Sequence, residues 1–338
     1  MLDQFEETQT PPARPKRRRL RRTLAIVIAL VVLLVVGSVA GYLLFLNNTV
    51  NSNVKRSSLL PTPGVSGATD APTKKAGAKD AQNFLIIGSD ARAGLAGARS
   101  DVIVLMHVAA DRKTVNLVHF PRDLYVDIPG RGKDKINAAF AYGGAPLLVQ
   151  TIQGLVGVPV DHVAIIDFEG FKRMTDAVGG VNVYVEESSS SRGYTFTKGY
   201  QRMGGEEALA FVRERKELSE GDISRGRRQQ AFIKALMLKS LSKDVLGNPV
   251  KLAQFVEAGT SNLTVDKDFS TGDMRSEAVA MRNLRGEDIA FITAPFTGYG
   301  TSPAGASIDI LDVQGMQDLG DALQNDAMSS YKDVTRTP

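Results

Sequence analysis

The chain has no cysteine among its 338 residues. That excludes disulfides, thiolate zinc sites and a cysteine nucleophile, and leaves the redox compartment open. Its three histidines, His107, His119 and His162, each stand alone in a strand-like run. A histidine-rich metal centre or a Ser-His-Asp triad has little to be built from, so the three are read as strand-surface or core residues. No GxxxxGK[ST] glycine loop occurs, which argues against nucleotide hydrolysis of the Walker type. No internal repeat is visible. A surplus of positive charge is also missing outside the first 22 residues. That segment carries Arg14, Lys16, Arg17, Arg18, Arg19, Arg21 and Arg22 against Asp3, Glu6 and Glu7, which equals the +4 of the whole chain. The remaining 34 bases meet 34 acids. A duplex-binding domain carries a broad basic field, and residues 23–338 carry none.

Residues 24–46 form an uninterrupted run of 23 uncharged residues. As a helix this run is about 35 Å long, enough for a hydrocarbon core of about 30 Å. A cleaved signal peptide is the alternative. The run exceeds a typical h-region of about 7–15 residues, and no small-x-small cleavage site follows. The N-terminal bases outweigh Lys55 and Arg56 beyond the run. The expectation is a single transmembrane helix over 24–46, with 1–22 as a basic cytoplasmic tail and the rest outside. Residues 47–81, with Pro61, Pro63 and Pro72 among small polar residues, are expected to be a flexible extracytoplasmic linker.

From Asn83 the texture changes to apolar runs divided by Gly-, Asp- and Pro-marked turns. Strands are expected at 83–88, 102–109, 115–120, 162–167, 181–185, 288–296 and 307–312. Helices are expected at 168–178, 205–213, 225–242, 249–257, 273–284 and 313–325, with one over 138–156 interrupted at Gly143 to Pro146. Residues 186–201 are read as a polar loop. The alternation predicts an α/β domain over 82–328, a mixed central β-sheet covered by helices, followed by a C-terminal tail at 329–338.

Five arginines fall within sixteen residues: Arg213, Arg215, Arg225, Arg227 and Arg228, with Asp222 and Gln229 among them. A guanidinium fork matches two phosphate oxygens at once. Arg213 and Arg215 point the same way on extended backbone, and Arg225 and Arg228 share a face on a helix. A solvated charged surface is the competing reading. Upstream, Gly88-Ser89-Asp90 and Arg99-Ser100-Asp101 place two carboxylates eleven residues apart across a Gly/Ala-rich loop. They suit a hard ion such as Mg²⁺, or an Asx-turn and a strand-start cap. Pro121-Arg122-Asp123 sits at a strand end, where ligand sites of α/β sheets lie, and Lys135 precedes helical sequence. Two acids, several arginines and no nucleophile beyond hydroxyls are the equipment of a pyrophosphate site with a metal.

These pieces occur in order with Lys135-Ile-Asn-Ala-Ala-Phe, Gly179-Gly-Val and Gly205-Glu-Glu-Ala-Leu-Ala-Phe-Val-Arg-Glu-Arg215. Together they resemble the LytR-CpsA-Psr family, whose domain is also called the cell envelope-related transcriptional attenuator domain. The resemblance implies a cell-wall phosphotransferase that takes a glycopolymer from a polyprenyl-pyrophosphate carrier and joins it to peptidoglycan through a phosphodiester. It implies Mg²⁺, with Mn²⁺ as an alternative, on Asp90 and Asp101. Arg99, Arg122, Arg213, Arg215, Arg225 and Gln229 would grip the pyrophosphate. Asp222 would orient arginines or serve as base, so the catalytic set is Arg122, Asp222 and Arg225. The family's pocket for the polyprenyl tail is expected beside residues 145–156 and 231–241. His119 stands where the family often has a small residue, and Arg227 is an extra base. Two other readings are an envelope-gene regulator, as the older domain name suggests, and a polyprenyl-pyrophosphate hydrolase. The neutral outer domain argues against direct nucleic-acid contact.

Overall fold

A computed structural model of the chain describes residues 17–62, 71–89 and 100–331, without the side chains of 17–29, 31 and 101. Residues 1–48 and 49–338 form two compact units. The apolar run lies within α1 (Arg17–Asn53), a helix of 37 residues. Its described part is long and apolar enough to cross a membrane, and Leu33, Leu34 and Leu44 are exposed.

The strands of the second unit are β1 (Lys55–Ser57), β2 (Gln82–Ser89), β3 (Ser100–Val108), β4 (Val115–His119), β5 (Leu124–Ile128), β6 (Gly132–Lys135), β7 (His162–Asp167), β8 (Val181–Val185), β9 (Ser189–Ser191), β10 (Tyr194–Phe196), β11 (Gly199–Met203), β12 (Leu263–Asp266), β13 (Ile289–Thr293), β14 (Phe296–Thr301) and β15 (Ser307–Leu311). The helices are α2 (Ile136–Val156), α3 (Phe168–Ala177), α4 (Gly205–Arg213), α5 (Asp222–Ser240), α6 (Lys243–Leu246), α7 (Pro249–Ser261), α8 (Thr271–Ala280) and α9 (Val313–Gln324).

Seven strands make the central sheet, in the order β1-β12-β7-β2-β3-β4-β13. It is mixed: β2 runs parallel to β7 and antiparallel to β3. The apolar run Phe84-Leu-Ile-Ile87 occupies the middle strand because both faces are covered, and Leu85 and Ile87 are fully buried. A second sheet, β14-β15-β5-β6, stands beside it. The helix α2 breaks where expected, with non-helical backbone at Gly143 and Gly144 and Pro146 just beyond. Only glycine takes the φ of +64° and ψ of −158° found at Gly144 without strain. Side chains Leu148, Val149 and Ile152 of α2 and Leu319 and Leu323 of α9 close the first core cluster. A second cluster, between β8, α4 and α5, is built on Phe196, Phe211 and Phe232.

Three expectations are corrected. Residues 47–81 are not flexible throughout: β1 pairs in parallel with β12, and Val54 and Leu59 are buried. The polar stretch 186–201 is not a loop. It holds the hairpin β9–β10 and the start of β11, because Phe196 buries itself against Phe211 at 5.2 Å between ring centroids. Of the tail expected at 329–338, residues up to 331 are described, and Tyr331 packs on the first cluster.

Candidate active site

Strand β4 ends at His119, and the chain then turns through Pro121-Arg122-Asp123 into β5. Backbone bonds fix this turn from three sides. Leu124 N–H donates to Pro121 O (3.0 Å), Asn137 N–H at the start of α2 donates to Arg122 O (3.2 Å), and Asp309 N–H of β15 donates to Asp123 O (2.9 Å). The N-terminus of α5 approaches the same place. Asp222, in its first turn, binds Arg225 one turn on, with 2.7 Å between Oδ1 and Nη2. The same Oδ1 lies 3.7 Å from Arg122 Nε, so Asp222 stands between two guanidinium groups. Asp123 makes a second bridge, 2.8 Å to Lys135 Nζ and 3.7 Å to Arg122 Nε.

The rotation of α5 is set by its buried residues. Arg228 is 3% exposed, donates to Glu187 O at 2.7 Å and lies 4.5 Å over the Phe211 ring. Burial holds its pKa below the usual arginine value. Gln230 donates to Ile292 O and Gln229 to Val212 O. Although Arg228 is one turn from Arg225, it belongs to the second core. Arg227 turns outward and is paired with Glu186 at 2.8 Å and with Glu220.

These constraints open a cavity of about 560 Å³. Arg122, Arg213, Arg215, Arg225 and Gln229 all line it, together with Arg192, Lys216 and the apolar Val102, Phe168 and Val212. Arg213 lies 4.6 Å over the Phe168 ring. Glu214 shapes the turn between Arg213 and Arg215, accepting from the N–H groups of Lys216 (2.5 Å) and Glu217 (3.1 Å). Burial alone would raise its pKa, but hydrogen bonds from Ser191 and those N–H groups outweigh it and hold the carboxyl below its ordinary value. The result is a concave, water-accessible seat whose charged lining is mostly cationic. It suits a polyanion carrying apolar or neutral arms.

Asp90 and Arg99 lie outside the described residues, as does the Asp101 side chain. The described backbone brings Ser89 and Ser100, their neighbours in the chain, together at one sheet end. Ser89 is paired with Ser100, a register shift follows, and Val102, next to Asp101, lines the cavity. The side chains expected beside a polyprenyl tail are packed instead: Ala145, Leu148, Val149, Ile152 and Val156 are buried in the first core cluster. The cavity at Ala231, with Tyr184, Arg227 and Phe291, is only about 30 Å³, too small for a prenyl chain.

The LytR_cpsA_psr family model matches residues 47–325. The chain belongs to the LytR-CpsA-Psr family. Among curated relatives, the polyisoprenyl-teichoic acid–peptidoglycan teichoic acid transferase TagU of Oceanobacillus iheyensis is 39% identical over 189 residues, 51% of this chain and 59% of that protein. The cell wall biosynthesis protein LcpA of Corynebacterium glutamicum is 30% identical over 283 residues, 70% of this chain and 54% of that protein. The chain thus spans little more than half the length of these relatives. Among solved structures, TagT bound to LI-WTA is 32% identical with a TM-score of 0.61, covering 78% of this chain and 99% of that one. TagV of B. subtilis is 26% identical with a TM-score of 0.64, over 74% and 98%.

In this LytR-CpsA-Psr domain, several lining residues escape a reading of the motifs. Arg192 and Lys216 line the cavity from the β9–β10 hairpin and the turn after α4. The basic side chains themselves were the signal, but neither falls inside a motif. His119, standing where a small residue is common, is accommodated because residue 226 is glycine. A Cβ there would lie 2.7 Å from His119 Cε1. Burial pushes the imidazole down to about 3, with the Arg225 charge adding to it, so His119 is neutral.

Proposed function

We propose that this chain is a membrane-anchored, extracytoplasmic phosphotransferase that moves a glycopolymer from a polyprenyl-pyrophosphate carrier to a peptidoglycan hydroxyl. The observation that carries it is the convergence of Arg122, Arg213, Arg215, Arg225 and Gln229 on one cavity, with Asp222 between Arg122 and Arg225. The activity for which the TagU relatives are named and the wall teichoic acid bound to TagT support the same substrate class. In the transfer, the acceptor hydroxyl gives up its proton, to Asp222 as base or to solvent, its oxygen bonds to the glycopolymer-side phosphorus, and the bridging P–O bond breaks. Polyprenyl monophosphate leaves. Arg122 and Arg225 stabilise the charge that builds on the phosphate oxygens, and Asp222 orients both. Arg213, Arg215 and Gln229 hold the remaining oxygens, and by the family resemblance Arg99 would join them.

Asp90 and Asp101 would hold Mg²⁺, or Mn²⁺ in its place, as a pair of hard oxygen donors. The bound ion supplies neutralisation of phosphate charge. The basic segment 1–22 would keep the N-terminus in the cytoplasm and the domain outside.

The test is an assay of the purified chain with a polyprenyl-pyrophosphate oligosaccharide and peptidoglycan. Release of lipid monophosphate matched by wall-linked glycan is the expected result. Release without linkage would make the protein a hydrolase, and no release would overturn the reading.

A further inference from the structure

Asp309 lies outside every motif that identifies the family, yet it is built into the arginine site. It sits in β15, opposite Leu124 of β5, and its N–H donates to the carbonyl of Asp123. The residue is 4% exposed, and its buried Oδ2 has no hydrogen-bond partner among the described residues. The charged groups around it are Arg122 and Asp123 on the turn into β5, Lys135 at the end of β6 and Asp222 at the start of α5. Tyr299 lies across from it on β14 and feels its charge.

Charge counting decides the state of this carboxyl. The cluster holds three cations, Arg122, Lys135 and Arg225, and two further acids, Asp123 and Asp222, each in an ion pair. With Asp309 ionised the cluster is neutral. With Asp309 protonated it carries one positive charge beside the seat of a dianion. A buried carboxylate with one oxygen unpartnered and two other carboxylates nearby is costly. Burial and the charges of Asp123 and Asp222 push Asp309 up to about 6, against the opposing pull of Lys135 and Arg122.

We propose that Asp309 is a positioning residue: in its neutral form it leaves the Arg122–Arg225 pair with a net positive charge for a pyrophosphate diester, and on ionising it cancels that charge. This rests on the pyrophosphate reading of the cavity. Binding and proton uptake are therefore coupled, because a ligand that prefers one protonation state must raise the population of that state.

The test uses the full chain in detergent with Mg²⁺ held constant. The probe is geranyl-diphospho-N-acetylglucosamine, a diester whose phosphates do not titrate near neutral pH. Its affinity is measured by calorimetry from about pH 5 to pH 8, for wild type and Asp309→Asn. Wild-type affinity is expected to fall about three- to tenfold across that range, while Asp309→Asn keeps the low-pH affinity throughout. Parallel profiles in the two proteins, with tight binding, would overturn this inference alone. No binding by either protein at any pH would overturn the pyrophosphate reading and this inference with it. A carbon NMR titration of the Asp309 carboxyl in wild type needs no variant. Its midpoint is expected to move upward when the diester is added, and an unmoved midpoint counts against the coupling.

Discussion

The His119 imidazole of β4 lies directly beneath Gly226 of α5, so close that a methyl group at 226 would stand 2.7 Å from the ring. This contact sets the height of α5 above the sheet, and with it the positions of Asp222 and Arg225 on the turn before. Gly226→Ala is expected to lift the helix, destabilise the protein by about 1–3 kcal/mol and lower transfer activity. Pairing it with His119→Ser should restore much of both. Thermal unfolding and the transfer assay on the single and double variants check this, and a double variant no better than Gly226→Ala would refute it.

Arg122 and Arg225 meet on one carboxylate oxygen of Asp222. Replacing either by alanine is expected to cost about 10²–10³ in transfer rate, with the far-ultraviolet circular dichroism unchanged. Arg225→Lys should fail to rescue, because a point charge cannot span two oxygens. Wild-type transfer by purified Arg225→Ala protein would count against the clamp.

Arg228, three residues on, should behave differently. Its guanidinium is buried over Phe211 and bound to Glu187 O. Arg228→Ala is expected to cost about 2–4 kcal/mol of stability. What folded protein remains should turn over at close to the wild-type rate. Chemical denaturation beside rate per folded molecule separates the two arginines.

Acid should unfold the protein partly through His119. Its folded pKa of about 3 lies below the value of an exposed histidine. The unfolded chain therefore takes up a proton that the native state refuses. That stabilising contribution is complete above about pH 6.5 and shrinks as pH falls toward 3. His119→Asn should flatten the slope of unfolding free energy against pH in this window, which denaturant titrations at several pH values would show.

Asp101→Asn should raise the Mg²⁺ concentration needed for half-maximal transfer by at least about tenfold, and chelation should silence the wild type. A metal titration with activity as readout tests this; an unchanged metal requirement would remove Asp101 from the ligand set.

Much of the fold was legible because apolar runs announce themselves. Phe84 to Ile87 reads as a buried strand, and Gly143-Gly144-Ala-Pro146 reads as a break in a helix. Of the strands that escaped, Leu124-Tyr-Val-Asp-Ile128 does alternate, with Leu124, Val126 and Ile128 buried, but two others carry no such pattern. Lys55-Arg-Ser57 and Gly132-Lys-Asp-Lys135 are polar throughout and owe their conformation to the neighbours they pair with. The arginine seat was legible because its members crowd into a few short motifs. Asp309 was not. In Ser307-Ile-Asp-Ile-Leu311 alternation turns the acid outward and the isoleucines inward, whereas Ile310 is exposed and Asp309 buried. The pairing of β15 with β5, with Asp309 N–H donating to Asp123 O, sets its place in the fold over the local pattern.

The β9–β10 hairpin forms one wall of the cavity through Ser190, Ser191 and Arg192. Its foot is anchored by Phe196 in the second core, while the Ser190 N–H donates to Glu217 Oε2 at 2.7 Å. Phe196 and the Ser190 backbone carry the anchorage, while the face presents the Arg192 side chain. Side chains on the face can be exchanged without loosening the foot, so the lining of the cavity can change while the scaffold stays.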